Sequence, residues 1–340
     1  MEGQKTLGRI TKIQTAGMSR ADWLEERRKS LGGSDVGAIL GLNRWRSPYS
    51  VWADKRGLLP DEPDNEAMRT GRDLEPYVLE RFREASGLKT RHVNAIIRNT
   101  DFPHLHANVD SMVVGMSAGV EGKTASALNT RLFRGEEFPA SYYAQCVTYL
   151  AVTDADRWYL AVLIMGREFK IYQLTRIQSD TCPDWCESSV YIPQDELDAL
   201  AIQAARFWQM VEAGTPPPVD GAQSTTEALD AIYSDDEDME ADLSDLHDDV
   251  AALIAVQERI KALKAVAESY RNIIKDRMQT ATRGSSALAT VTWRTQLRRT
   301  LDVKRLAADH PELELANYYN TTKSRVFKLT PAKKEGESDE

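Results

Sequence analysis

The amino-acid sequence predicts an α/β protein, a mixed central sheet flanked by helices, with a C-terminal helical and small β extension. Three observations carry this reading. Short apolar runs at 93–98, 106–113, 119–124, 158–164 and 168–174 read as strands. Helical periodicity precedes, interrupts and follows them, over 65–85, 140–152 and 195–213. Beyond Thr215-Pro216-Pro217-Pro218, a stiff boundary, apolar residues between Leu243 and Met278 recur at the spacing of a long amphipathic helix or helical hairpin.

The elements follow in order. Residues 1–18 are polar and read as a loose arm. Ser19 is an N-cap for a helix that carries Trp23 and Arg27 one turn apart, and Gly32-Gly33 breaks it. Ser34 is expected to cap a short helix over 35–40, ended by Gly41. Ser47-Pro48 starts a third helix, with proline at the first helical position. In the helix over 65–85, Met68, Leu74, Val78, Leu79 and Phe82 point inward, and Pro76 marks a kink or a boundary. The last two strands of the sheet join through Met165-Gly166-Arg167 as a hairpin. Short strands at 290–293 and 326–329 are expected around a small helix at 303–309, before a charged tail.

Composition narrows the function. The chain has 340 residues, 42% of them hydrophobic, which supports a real core. Its net charge of -9 argues against a nucleic-acid partner on its face. However, nine acidic residues between Asp235 and Asp249 equal that whole excess, while the N-terminal region carries Arg27-Arg28-Lys29, Arg44 and Arg46. A local positive groove is compatible with an acidic total. The acidic stretch itself reads either as linker or as the first turn of a helix, which favours carboxylates. Three cysteines are too few for a disulfide scaffold and fit a reducing compartment, and Cys182-x₃-Cys186 lacks further ligands for a metal. The N-terminus has no apolar core of a secretory signal, and nothing approaches the roughly 18 apolar residues of a membrane span.

Chemistry concentrates at Asp110 and Glu121-Gly122-Lys123, a D-x₁₀-E-x-K pattern on what read as adjacent strands. Two carboxylates suit a hard divalent cation such as Mg²⁺. Strand alternation puts Lys123 on the face of Glu121, where its ammonium can orient water or offset charge on a phosphate. Taken alone this spacing is weak, because a solvated charged strand face shows it too.

The order of motifs is more specific. Trp23-x₃-Arg27, Gly32-Gly33-Ser34-Asp35, Gly71-x₃-Glu75, Asp110, Glu121-Gly122-Lys123 and Tyr143-Ala144-Gln145 follow one another over residues 20 to about 175. In this the chain resembles the phage-type λ-exonuclease/YqaJ recombinase nucleases, a branch of the PD-(D/E)xK superfamily. The resemblance implies a restriction-endonuclease-like core. It implies Asp110, Glu121, the Gly122 carbonyl and Glu75 as Mg²⁺ ligands, with Mn²⁺ as a substitute. It implies Lys123 and Gln145 at the attacking water, and Arg27, Ser34 and Asn108 at a 5′-phosphate. The sequence departs from the family pattern at Ser111 and Asn108, and at Gly122, where an apolar or thiol residue is usual; none of these removes a catalytic group. Other readings of the same residues remain open: Ser34 as a cap, Arg27 as a surface cation, Glu75 paired with Arg72 or Arg81, Gln145 as a buried amide. His104 and His106 flank a strand start and make no metal site by themselves.

The resemblance further implies a 5′→3′ exonuclease on double-stranded DNA ends for phage recombination, a ring-shaped homotrimer, a single-strand annealing partner, and action in the bacterial host cytoplasm. A structure-specific or restriction-like endonuclease, or a non-catalytic DNA-end-binding protein, is the alternative. The expected layout is an arm (1–18), a nuclease domain (19–215), a Pro-rich and acidic linker (216–242), a C-terminal helical hairpin with short strands (243–330) and a disordered tail (331–340).

Overall fold

The computed structural model describes residues 9–61, 64–320 and 323–331. The chain forms two compact units, Met1–Tyr233 and Ser234–Glu340.

The first unit runs β1 (Ile10–Gln14), α1 (Arg20–Arg28), β2 (Leu31–Gly32), α2 (Gly33–Ile39), α3 (Pro48–Lys55), α4 (Glu66–Ser86), β3 (Thr90–His92), β4 (Ala95–Asn99), β5 (Leu105–Asn108), β6 (Ser111–Val113) and β7 (Ala118–Ala125). A short 3-10 turn (Ala127–Leu132) leads to α5 (Ala140–Thr153), β8 (Arg157–Ile164), β9 (Glu168–Thr175), β10 (Ser188–Tyr191), α6 (Gln194–Ala213) and α7 (Gln223–Ile232). The mixed α/β architecture is the expected one. Its strands form two sheets, in the orders β1-β4-β5-β2 and β10-β9-β8-β7-β6-β3. β7 pairs parallel with β8, which requires the crossover that α5 supplies.

Caps explain several boundaries. The Ser19 hydroxyl accepts from the Asp22 N–H at 3.1 Å, and the Ser47 hydroxyl accepts from the Ser50 N–H at 3.1 Å ahead of Pro48. α4 ends on Gly87 with a positive φ of 71°, the left-handed position glycine accepts without strain. Pro76 lies inside α4 rather than at its end.

α4 and α5 cover opposite faces of the six-stranded sheet. Val78, Leu79 and Phe82 pack with Val120, Tyr159 and Ala161, whereas Val147 and Leu150 share a core with Trp158, Leu160 and Val162. Strand alternation therefore sends residues 118, 120 and 122 toward α4 and residues 119, 121 and 123 toward α5. At Gly119, a Cβ atom would stand 2.3 Å from the fully buried Trp158 ring, which also packs on Tyr149 at 5.1 Å. Gly119→Ala is therefore expected to cost about 1–3 kcal/mol of stability by overpacking, read from urea denaturation; an unchanged midpoint would contradict this packing.

Several expectations need correction. The predicted strand 106–113 is two strands in different sheets, broken at Val109 and Asp110. Of the expected arm, residues 1–8 lie outside the described ones, and Ile10–Gln14 pairs antiparallel with β4. Met68 is exposed, because α4 reaches the sheet only from Val78 onward. The expected linker contains α7, held by Thr225 donating to the Ser47 hydroxyl at 2.7 Å and by Ser47 N–H donating to Ser224 at 2.9 Å.

In the second unit, α8 (His247–Met278) is one continuous helix, so of the two expected forms the long helix is the one found and the hairpin of the expected domain layout is not. A two-stranded ribbon, β11 (Arg283–Ser285) with β12 (Thr290–Thr292), and α9 (Val303–Asp309) follow. Residues 326–329 form no strand, and the tail beyond Pro331 lies outside the described residues. No helix among the described residues is long and apolar enough to cross a membrane.

Candidate active site

The site is built where the chain passes from one sheet to the other. Asp110 sits at that passage, between β5 and β6, and its carboxylate accepts the Gly122 N–H from β7 at 2.8 Å. This bond ties the two acidic motifs together. Space at 122 is tight: a Cβ there would meet Val78 of α4 at 3.2 Å, so Val78 would have to give way by a few tenths of an ångström, and would stand in ordinary contact with the Asp110 carboxylate at 3.6 Å. Glu121 and Lys123 lie on the α5 face, their charged atoms 2.6 Å apart. From α5, the Gln145 amide donates to Glu121 Oε1 at 2.6 Å and to the Tyr149 hydroxyl at 2.8 Å. Glu75 and Gly71 of α4 complete a cleft of about 210 Å³ with Val78, Asp110, Glu121, Gly122, Lys123 and Thr124.

The electrostatics of the cleft are those of crowded acid. Burial, then the nearby Asp110, pushes the Glu121 pKa up to about 8. Burial also raises Asp110, against the opposing pull of Lys123 and the Gly122 N–H. Glu75 is raised by burial and by Asp110. Burial disfavours the Lys123 ammonium, but Glu121 and Asp110 outweigh it and hold that group charged.

One oxygen has no partner. Glu121 Oε2 is buried and accepts no hydrogen bond, while its sister oxygen is held by Lys123 and Gln145. An unsatisfied buried carboxylate oxygen is costly and calls for a cation or a donor. Together with Asp110 it fits a hard divalent ion. Among the described residues no three His, Cys, Asp or Glu side chains converge on a common point. Asp110, Glu121 and Glu75 all line the cleft, and Asp110 disfavours the charge of both glutamates.

The structure separates the other expected residues. Glu75 is not tied to its own helix: Arg72 binds Asp64 at 2.8 Å and Arg81 approaches Glu84 at 3.4 Å. Gln145 is buried and spends its amide on Glu121 and Tyr149 rather than facing the cleft. Ser34 is exposed and is not the cap of α2. Gly32 holds that place, and the Asp35 carboxylate accepts its N–H at 2.9 Å. Arg27 is half-buried, stacked on Trp23 at 4.6 Å, and its Nε has no hydrogen-bond partner. Asn108, at the end of β5, shares a strand face with His106 by alternation.

A second polar cluster was not legible in the motifs. Asp35 is fully buried, with Lys55 and Arg46 each 2.7 Å from its carboxylate. Burial opposes its charge, but Lys55, Arg46 and Arg27 together hold it well below the usual carboxylate range. His106 is buried beside it, bonded to Ser30 through Nδ1 at 2.9 Å. Gly33 joins the cluster to the cleft: a Cβ there would stand 2.9 Å from both Gln145 and Tyr149.

Burial, aided by Lys55, pulls the His106 pKa down to about 3. The unfolded chain then binds one proton more than the folded chain between about pH 6.5 and the folded value, so stability falls as pH falls through that window. His106→Gln is expected to flatten the acid limb of the stability profile between about pH 6.5 and 4, measured by denaturation at each pH; parallel profiles for the two proteins would refute it.

Residues 22–156 match the model of the YqaJ-like viral recombinase domain. This stretch is similar to the YqaJ-like viral recombinase domain. "Uncharacterized protein YqaJ" of Bacillus subtilis (strain 168) is 39% identical over 217 residues, covering 62% of this chain and 63% of that protein, so the chain spans just under two thirds of that relative. The solved structure of LHK-Exo in complex with dAMP is similar at a TM-score of 0.45 and 18% identity, over 57% of this chain and 94% of that one. The structure of the alkaline exonuclease LHK-Exo from Laribacter hongkongensis gives 0.45 and 14% identity over the same shares.

All eight candidate side chains, and Gly122 with them, fall inside the YqaJ-like domain. β8, β9 and β10 lie beyond it in sequence, yet they continue the same sheet as β7. The matched stretch therefore carries the candidate site, and the following strands extend the sheet on which it is mounted.

Proposed function

We propose that the protein is a Mg²⁺-dependent 5′→3′ exonuclease that degrades one strand of double-stranded DNA from its ends, leaving 3′ overhangs for phage recombination. The observation that carries this reading is the unpartnered Glu121 Oε2, buried beside Asp110 and the charged Lys123 in one cleft. Asp110 and Glu121 hold the ion, with the Gly122 carbonyl and Glu75 as further oxygens; Mn²⁺ satisfies the same donor set. When bound, the ion supplies Lewis acidity toward the scissile phosphate. Gln145 and Tyr149 fix the orientation of Glu121. Lys123 holds a positive charge where the phosphate gains negative charge. Arg27, Ser34 and Asn108 receive the terminal 5′-phosphate, the first by its planar guanidinium and the others by neutral donors. A ring-shaped homotrimer, a single-strand annealing partner and action in the host cytoplasm belong to the same reading.

End-labelled linear duplexes and closed circles, each with Mg²⁺ or EDTA, test it. Linear DNA is expected to lose nucleotides from its 5′ ends only with Mg²⁺, faster with a 5′-phosphate than with a 5′-hydroxyl. Cutting of closed circles at the same rate would point to an endonuclease, and binding without cutting would leave a DNA-end-binding protein.

A further inference from the structure

α8 presents its largest apolar side chains to water. Leu253, Val256, Ile260, Leu263, Tyr270 and Ile274 are between 36% and 63% exposed. Val266 and Ile273, 50% and 64% exposed, flank them, and the six themselves are ordered. Counted from Leu246, one series falls at 246, 253, 260, 267 and 274, and the other at 249, 256, 263, 270 and 277. Steps of three and four alternate without a break over four heptads. That 3.5-residue period is the signature of a left-handed coiled coil, whereas an isolated straight helix drifts about 20° per heptad away from it. Only Asp249 and Arg277, one at each end of the seam, interrupt its apolar character.

We propose that α8 binds α8 of a second copy of this chain, antiparallel, through this seam. Charge selects both the occupant and its direction. A parallel pair in register stacks Asp249 on Asp249 and Arg277 on Arg277, and sets Arg259 beside Lys264 of the second copy at the flanking positions. These are three like-charge contacts. In the antiparallel pair Ile260 packs against Leu263 of the second copy, Leu253 against Tyr270, and Val256 against Ala267. Asp249 then lies beside Ile274 of the second copy, between Arg271 and Arg277. Arg259 faces Val266, and Lys264 faces Gln257. Every like-charge contact disappears, and each end gains an acid–base contact. The same arrangement explains the charge along the chain. The acidic run from Asp235 to Asp249 precedes the first turns of α8, and Arg271, Lys275 and Arg277 occupy its last turns. Acidic and basic ends meet only when the two copies run in opposite directions.

The test uses the full-length protein in two forms with one added cysteine each, Leu253→Cys and Tyr270→Cys, with Cys182 and Cys186 replaced by Ser and the buried Cys146 kept. After mild oxidation the mixture is expected to form a disulfide between residues 253 and 270, located by peptide mass. Each form alone is expected to stay uncrosslinked, because residues 253 and 270 are about 25 Å apart along the helix. Homodimeric disulfides at 253 and at 270 would overturn the antiparallel direction. In parallel, Leu263→Glu is expected to weaken association by at least a hundredfold in sedimentation equilibrium with unchanged helix content. Glu258→Ala, on the outer face, is expected to leave association as it was. Identical sedimentation of the wild type and Leu263→Glu would overturn the pairing, whatever the nuclease unit does by itself.

Discussion

Asp110→Asn is expected to lower the rate of DNA cleavage by about a thousandfold or more, because under the proposed function one of three carboxylates offered to the metal ion loses its charge. The expected effect on folding has the opposite sign. Asp110 crowds Glu121 and Glu75, and burial raises the pKa of all three. Asparagine keeps an oxygen for the Gly122 N–H and removes one buried charge, so the metal-free variant should melt no lower than the wild type. Mg²⁺ should separate the two proteins. A ligand at a hundredfold its dissociation constant stabilises by about 2.7 kcal/mol, and the variant should lose most of that increment. Thermal melts with and without Mg²⁺, beside single-turnover cleavage, check both parts. A variant that cuts at the wild-type rate, or that Mg²⁺ stabilises equally, would remove Asp110 from the site.

Asp35→Ala is expected to destabilise the protein by about 3–5 kcal/mol, the usual cost of removing one partner from a buried ion pair. The carboxylate is enclosed by Lys55, Arg46 and the Gly32 N–H. Without it the Lys55 ammonium, whose side chain is 2% exposed, stays buried near Arg27 with only the weaker pull of Asp54 as counter-charge. Adding Lys55→Met should recover a sizeable part of the loss, since the stranded charge goes with it. Urea denaturation of the single and double variants measures this, and a double variant weaker than Asp35→Ala by the full cost of a second ion would refute it. Cleavage should fall as well, because Gly33 packs directly against Gln145 and Tyr149. A stable variant with full activity would show that this cluster does not support the cleft.

What could be read without coordinates was local. Ser19, Ser47 and Pro48 mark helix starts because capping is decided within one turn of chain. The period-two alternation of β7 already places Glu121 and Lys123 on one face and Gly122 on the other. The order of the motifs pointed to the family that residues 22–156 match. Ser34 shows the limit of this reasoning. The pattern named Ser34 as the cap, but Gly32 takes that place and Asp35, one turn in, accepts its N–H, because two distant cations make the burial of Asp35 tolerable.

The amino-acid sequence by itself determined the long helices and the main strands, the acidic and lysine side chains of the candidate site, and the heptad seam of α8, since each depends on neighbours within a few residues. Only the tertiary structure decided that Asp110 lies at the crossing between two sheets, that its carboxylate closes on Gly122, and that Glu121 keeps one oxygen without a partner. It likewise decided that Asp35, Arg46 and Lys55 form one buried cluster, and that α7 packs back onto the start of α3. The physical reason is the same in each case: burial and charge depend on groups brought together from far along the chain, which no local pattern of residues encodes.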